Sequence, residues 1–207
     1  MRILMLGAGA IGGYFGARIH QAGGDVTFLV RPARERNLME NGLRVSSPLG
    51  DIHFQPQCIT AFQGDESQKF DVIIMSCKAY DLDSAMAAIA PALARQGIVV
   101  PLLNGMAHLQ RLDERFGRER VLGGIAHLGV TLTPEGHIQH LSELQRLIIG
   151  SRIEPASSLV AALAEVLAGS NIDFVLSENI ENEMWDKFIF ISTLAGATCT
   201  MRAAIGD

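Results

Sequence analysis

Arg2-Ile3-Leu4-Met5-Leu6-Gly7-Ala8-Gly9-Ala10-Ile11-Gly12 is the stretch that decides the fold. Residues 2–6 are a short apolar run that stops at a glycine, the pattern of a buried strand. After it, Ile11, Phe15, Ile19 and Ala22 recur at helical spacing, and Gly23-Gly24 predicts the helix end because glycine accepts a left-handed cap. Residues 25–30 (DVTFLV) are rich in β-branched residues and predict a second strand. A strand, a turn, a helix and a strand within about 30 residues form a parallel pair with a right-handed crossover.

Within that unit, Gly7-Ala8-Gly9-Ala10-Ile11-Gly12 reads GxGxxG. The motif alone is weak evidence, but here it follows a strand and opens a helix, the context that gives it meaning. Gly7 permits the tight turn, Gly9 lets the backbone approach a pyrophosphate, and Gly12 lets the helix pack on the sheet. The helix beginning near Ala10 turns its unpaired N–H groups and positive dipole end toward that anion. The expectation is a dinucleotide-binding, Rossmann-type domain. An acid at the end of the second strand would grip a ribose 2′-hydroxyl. Val30-Arg31-Pro32-Ala33-Arg34 stands there instead. An arginine accepts a 2′-phosphate that an acid would repel, so Arg31, helped by Arg34, predicts NADPH/NADP+ as cofactor.

The alternation of apolar runs and helical stretches continues outward. A helix is expected over 34–41, short strands over 43–62 around Pro48-Leu49-Gly50-Asp51, and a strand over 71–76. A helix over 81–95 capped by Asp81, a strand over 97–103 with a turn at Asn104-Gly105, and a helix over 107–116 come next. Then come a strand over 120–130, two strands within 136–150, a helix over 155–168 and a strand over 172–176. From Ser177-Glu178-Asn179 the pattern is helical only. The reading is therefore α/β, a doubly wound and mainly parallel sheet over residues 1–177, followed over 178–207 by the start of an all-helical second domain. About 30 residues cannot fold as an independent helical domain, so either another chain completes it or the sequence is a fragment of a longer protein, and the fragment is the favoured expectation. An apolar surface left on the incomplete part would favour self-association as a homodimer.

Composition narrows the class. With 17 basic and 22 acidic residues the formal net charge is −5, which gives no global attraction to nucleic acid or to an anionic membrane. The apolar run 3–6 is too short for a secretory core or a membrane span. Cys58, Cys77 and Cys199 are widely spaced and form no CxxC, so three small, buried or half-buried thiols in a reducing cytoplasm are expected. His137 and His140 give H-x-x-H, but on a strand they point to opposite faces and no acid or cysteine accompanies them, so no metal site is expected.

Read in order, these segments resemble the ketopantoate reductase (2-dehydropantoate 2-reductase) family. The resemblance rests on Gly7–Gly12 with Arg31, on Cys77-Lys78-Ala79-Tyr80 and on Leu103-Asn104-Gly105-Met106. It continues through Pro134-Glu135-Gly136-His137-Ile138-Gln139-His140 and closes with Glu183-Met184-Trp185-Asp186-Lys187. It implies an N-terminal Rossmann domain, a helical C-terminal domain and a cleft between them where NADPH reduces a small-molecule 2-oxo acid, ketopantoate, to pantoate on the route to pantothenate and coenzyme A. By motif, Lys78 and Asn104 line the cofactor and substrate cleft, and Lys187 matches the catalytic lysine. The chemistry is coherent: negative charge grows on the ketone oxygen, and a lysine ammonium stabilises it and supplies the proton. One position departs. The family's substrate-binding asparagine, four residues after the lysine, is Ile191 here. Ser192 lies next to it but is rotated by about 100° on a helix. The family's substrate serine and glutamate fall beyond Asp207. Two alternatives stand beside ketopantoate reduction: reduction of a different 2-oxo acid on the same fold, and a non-catalytic module that binds and senses NADP(H).

Overall fold

A computed structural model describes residues 1–206 of the chain. Its first sheet is built from β1 (Arg2–Leu6), β2 (Asp25–Leu29), β5 (Gln57–Ile59), β6 (Phe70–Met75) and β7 (Leu93–Pro101), all parallel, in the order β5-β2-β1-β6-β7. The chain winds outward from β1 to one edge and then returns to continue on the other side. The order therefore reverses between β1 and β6, and the crevice at their carboxyl ends is where such sheets bind ligands.

Strand alternation divides the core into two. Ile3, Met5, Val26, Phe28, Val72 and Ile74 face one side of the sheet, and Leu4, Leu6, Leu29, Ile73 and Met75 face the other. On the first side lie α1 (Ala10–Gln21) and α5 (Ser158–Ala168); on the second, α3 (Leu82–Ile89) and α4 (Ala107–Phe116). Helix α2 (Pro32–Asn41) follows β2 and ends at Gly42, whose φ of 68° is left-handed.

A second sheet, which the periodicity does not separate from the first, lies over α1. It contains β3 (Leu43–Ser46), β4 (Ile52–Phe54), β8 (Gly123–Leu132), β9 (Ile138–Gly150) and β10 (Asp173–Leu176). Helix α1 is thus enclosed on both sides, and every residue from Gly12 to Ile19 is buried. Tyr14 donates to Gln145 at 2.8 Å, and the buried Arg18 donates to Ser47 Oγ and the Gly50 carbonyl, both at 3.0 Å.

Four expectations need correction. The helix placed over 81–95 ends at Ile89, because Pro91 cannot continue it, and β7 already begins at Leu93. Asp81 occupies the helix start but makes no side-chain cap; its carboxylate is held by Arg31. The two strands expected within 136–150 are one, β9, which pairs with β8 over residues 138–140 and 145–150 and bulges between them, where the register shifts between Leu128 and Val130. Of the cysteines, Cys58 and Cys77 are half-buried, but Cys199 is exposed. Among the described residues no group of acids, cysteines and histidines could hold a metal ion, and no helix is long and apolar enough to cross a membrane.

The last helix, α6 (Ile180–Met201), docks through its first turns, where Ile180 and Met184 are buried. Side chains at Gly123 and Gly150 would collide with Ile180, so bare backbone is what lets the helix approach β8 and β9. An ion-pair cluster fixes the same end. Arg152, its side chain 3% exposed, donates to both carboxylate oxygens of Asp113 on α4 (2.6 and 2.9 Å) and to Glu181 on α6 (2.9 Å). His108 is buried near this cation with its Nε2 unpaired, and burial together with the Arg152 charge lowers its pKa to about 4.

Two outcomes follow from this packing. In the unfolded chain His108 regains its ordinary basicity and takes up a proton first, so its contribution to stability is present near neutrality and is lost as pH falls from about 6.5 toward 4. In urea melts at pH 7 and 4.5, His108→Leu should lose less stability on acidification than the parent, by roughly 2 kcal/mol; equal losses would contradict this. Separately, a methyl group at Gly12 would strike Ser76 Oγ and the Gly7 carbonyl. Gly12→Ala should therefore lower stability by about 1–3 kcal/mol, measured by thermal or denaturant melts.

Candidate active site

Four segments predicted to carry site residues emerge at the carboxyl edge of the first sheet: Gly7 after β1, Arg31 after β2, Lys78 after β6 and Asn104 after β7. Gly7 holds φ at 95°, a left-handed value open to glycine, and its N–H donates to the Leu29 carbonyl at 2.9 Å. Gly9 is the N-cap of α1, with no side chain capping the helix, and a Cβ there would meet nothing within 4 Å. The turn Gly7-Ala8-Gly9-Ala10-Ile11-Gly12 therefore presents uncapped N–H groups to open space, a cradle that fits a pyrophosphate. Ser76, closing β6, donates to the Leu6 carbonyl at 3.3 Å and fills the space beside Gly12.

The two arginines differ. Arg34 is built into the fold: its Nε donates to the Ala8 carbonyl at 3.0 Å, and Nη1 donates to Asn37 (2.6 Å) and to the Gly136 carbonyl (2.9 Å). It braces the glycine turn from below, and burial lowers its pKa. Neighbouring Cys58 is pushed up to about 11, first by burial and then by Glu35, so its thiol stays protonated at neutral pH. Arg31 is the free one, its side chain 78% exposed, with one donor engaged by Asp81 at 2.9 Å. Lys78 stands exposed at the start of the turn Ala79–Asp81.

Asn104 and Lys187 line the same cleft. A shallow cleft is lined by Leu103, Asn104, Gly105, Gly124, Ile125, Met184, Lys187, Phe188 and Ile191. Asn104 reaches it from the turn after β7, where Gly105 takes φ of 83°. Lys187 reaches it from α6, one turn beyond the buried Met184. Its ammonium donates to the Ala126 carbonyl at 2.8 Å, and burial lowers its pKa. Lys78 is not among the residues lining this cleft. Ile191 is, so the departure at that position faces the cleft itself.

Some participants escape a reading of the sequence. Ser76 looks like the polar end of an apolar strand. Asp81 looks like a helix cap. His127 sits in β8 beside Lys187, where burial, and then the charges of Lys187 and Arg146, lower its pKa. The glycine pair Gly123-Gly124 carries a signal for such positions, because it marks a place where another element comes close. His140, half of the H-x-x-H, is buried, with Nδ1 bonded to Ser47 Oγ at 2.9 Å and Nε2 to the Leu144 carbonyl at 3.0 Å.

Comparison with known proteins bears on the family and the fold. Residues 3–153 match the family model described as ketopantoate reductase PanE/ApbA. An uncharacterized oxidoreductase of Bacillus subtilis, YkpB, is 35% identical over 206 residues, covering 100% of this chain and 67% of the relative. A 2-dehydropantoate 2-reductase of Mesorhizobium japonicum is 29% identical over 234 residues, covering 100% of this chain and 70% of the relative. The crystal structure of 2-dehydropantoate 2-reductase from Porphyromonas gingivalis superposes with a TM-score of 0.89 at 26% identity, covering 100% of this chain and 74% of that one. The chain thus spans about two thirds of the length of the curated relatives it matches. The family match, the parallel sheet and the glycine turn at its switch point agree: this chain belongs to the ketopantoate reductase PanE/ApbA family of oxidoreductases.

Proposed function

We propose that the chain carries the dinucleotide site and the proton donor of a cytoplasmic, NADPH-dependent reductase that converts ketopantoate to pantoate. In this reading residues 178–207 open a second, helical domain, and the cleft between the two parts takes the 2-oxo acid. The observation that carries it is that Lys187 and Asn104, from different elements, line one cleft at the carboxyl edge of a parallel sheet.

The glycine turn would hold the pyrophosphate through the N–H groups of α1, and Arg31 would take the adenosine 2′-phosphate. A bound nicotinamide supplies the hydride that reduces the ketone carbon. The chain's own part is to place and charge the oxygen. Lys187 has three N–H donors, of which Ala126 occupies one. A second, directed at the ketone oxygen, stabilises the charge that grows there and passes on the proton, leaving a neutral amine that solvent recharges. Partial burial makes the ammonium a stronger acid than an exposed lysine, which favours that transfer. Asn104 offers amide N–H groups to a substrate oxygen.

Ile191 favours a second reading, the same reaction on a different 2-oxo acid, because it puts an apolar wall where the family has an amide. Comparing kcat/KM for ketopantoate with that for an apolar 2-oxo acid of similar size decides between them. A strong preference for ketopantoate eliminates the second reading; the reverse preference establishes it.

NADPH oxidation by the natural protein containing this chain, with ketopantoate added, tests the reaction. Lys187→Ala should lower kcat/KM by about 10²- to 10⁴-fold while dinucleotide binding is retained. The lysine acts when protonated, so the parent's kcat/KM should fall as pH rises through a value below the ordinary lysine range, and that limb should vanish in Lys187→Ala. Retention of activity within a few-fold of the parent would falsify the role.

A further inference from the structure

Asp81 stands at a helix start and does not act as a cap. Its N–H donates to the Lys78 carbonyl at 2.9 Å, and its own carbonyl accepts from the Ser84 hydroxyl at 2.9 Å, so the backbone alone shapes the turn. The carboxylate is left for another purpose, and its Oδ1 accepts from Arg31 Nη2 at 2.9 Å. The partners are fifty residues apart and rise from the ends of β2 and β6, the two strands that flank β1. The ion pair therefore spans the carboxyl end of β1, beside the glycine turn. Asp81 is the less exposed member, 29% against 78% for Arg31. Arg34 keeps one buried donor, Nη2, without a partner, but the Ala8 and Gly136 carbonyls and Asn37 fix its guanidinium beneath the glycine turn.

We infer that Asp81 is a specificity-determining residue that weakens the hold of this site on an adenosine 2′-phosphate. The inference rests on the dinucleotide reading above. Arg31 is the cation on which preference for a 2′-phosphate depends, and a carboxylate already shares it. A phosphate has two ways to reach the guanidinium. It can use the remaining donors, which sets it beside a like charge. Alternatively, Arg31 swings away, and a carboxylate is left facing the incoming anion. Both cost binding energy that a cofactor carrying only a 2′-hydroxyl does not lose, and a carboxylate is the ordinary acceptor for that hydroxyl. The preference for NADPH over NADH is accordingly smaller than Arg31 alone would give, and Asp81 sets the margin.

The test uses two small probes, 2′,5′-ADP and 5′-AMP, titrated calorimetrically into the whole chain. Asp81→Asn should bind 2′,5′-ADP roughly threefold to tenfold tighter, the range of a partly exposed charge pair, with 5′-AMP changed less than twofold. Asp81→Ser, which also suits a helix start, should shift in the same direction. Arg31→Gln should weaken 2′,5′-ADP, because it removes the cation and leaves the Asp81 carboxylate facing the phosphate. No gain for 2′,5′-ADP in either Asp81 variant, while 5′-AMP still binds the parent, overturns the inference and leaves the dinucleotide reading standing. Failure of the parent to bind either probe removes the dinucleotide reading and the inference with it.

Discussion

Everything in this molecule is arranged around one helix that cannot be thick. Helix α1 lies between two sheets, and both must reach it. Side chains at Gly12 and Gly16 would run into the first sheet, at Ser76 for one and at Phe28 and Met5 for the other, while a side chain at Gly13 would run into Ile138 of the second. Because these three positions are bare, both sheets close on the helix. That fixes its N-terminus at the point where strand order reverses, and so fixes the glycine turn that faces open space. Tyr14 and Arg18, both fully buried, join the same helix to the second sheet through Gln145, Ser47 and Gly50, which spares them unpaired polar atoms in the core.

The second sheet also carries the site lysine to the first. Ile125 and Ile148, from β8 and β9, pack with Ile180 and Met184 of α6 in the core on the far face. The Arg152 cluster ties the same end of α6 to α4. A guanidinium this buried is tolerable because two carboxylates answer it; removing either would leave charge stranded. Geometry at Lys187 is thus determined some two turns earlier, by apolar packing and an ion pair that play no chemical part.

The first sheet was legible from the residues because its strands are buried on both faces and read as unbroken apolar runs, and because glycines punctuate them. Lys187 and Asn104 could be placed by motif, and the structure brings them into one cleft. What the sequence concealed was of two kinds. Strand partners are not encoded locally, so residues 120–176 read as more of the same sheet when they form a second one. Residues whose local pattern satisfies one role can perform another: Asp81 has the spacing of a cap, and only its contact with Arg31, fifty positions away, shows otherwise. Pro91, by contrast, was a visible stop that the Ala-rich periodicity around it outweighed.

The two cations of the proposed site are prepared in opposite ways. Arg31 is exposed and shares its charge with Asp81 before a ligand arrives. Lys187 is half-buried, has no ion pair among the described residues, and rests on a neutral carbonyl. The cleft it enters is lined mainly by apolar side chains, Ile125, Met184, Phe188 and Ile191, with Asn104 as the polar neighbour. At His127 burial, and then the charges of Lys187 and Arg146, lower the pKa. A lysine held in this way costs stability, because it keeps a charge where solvation is poor. The arrangement makes sense where the benefit falls at the moment negative charge appears on a substrate oxygen, which is the demand that reduction of a 2-oxo acid makes.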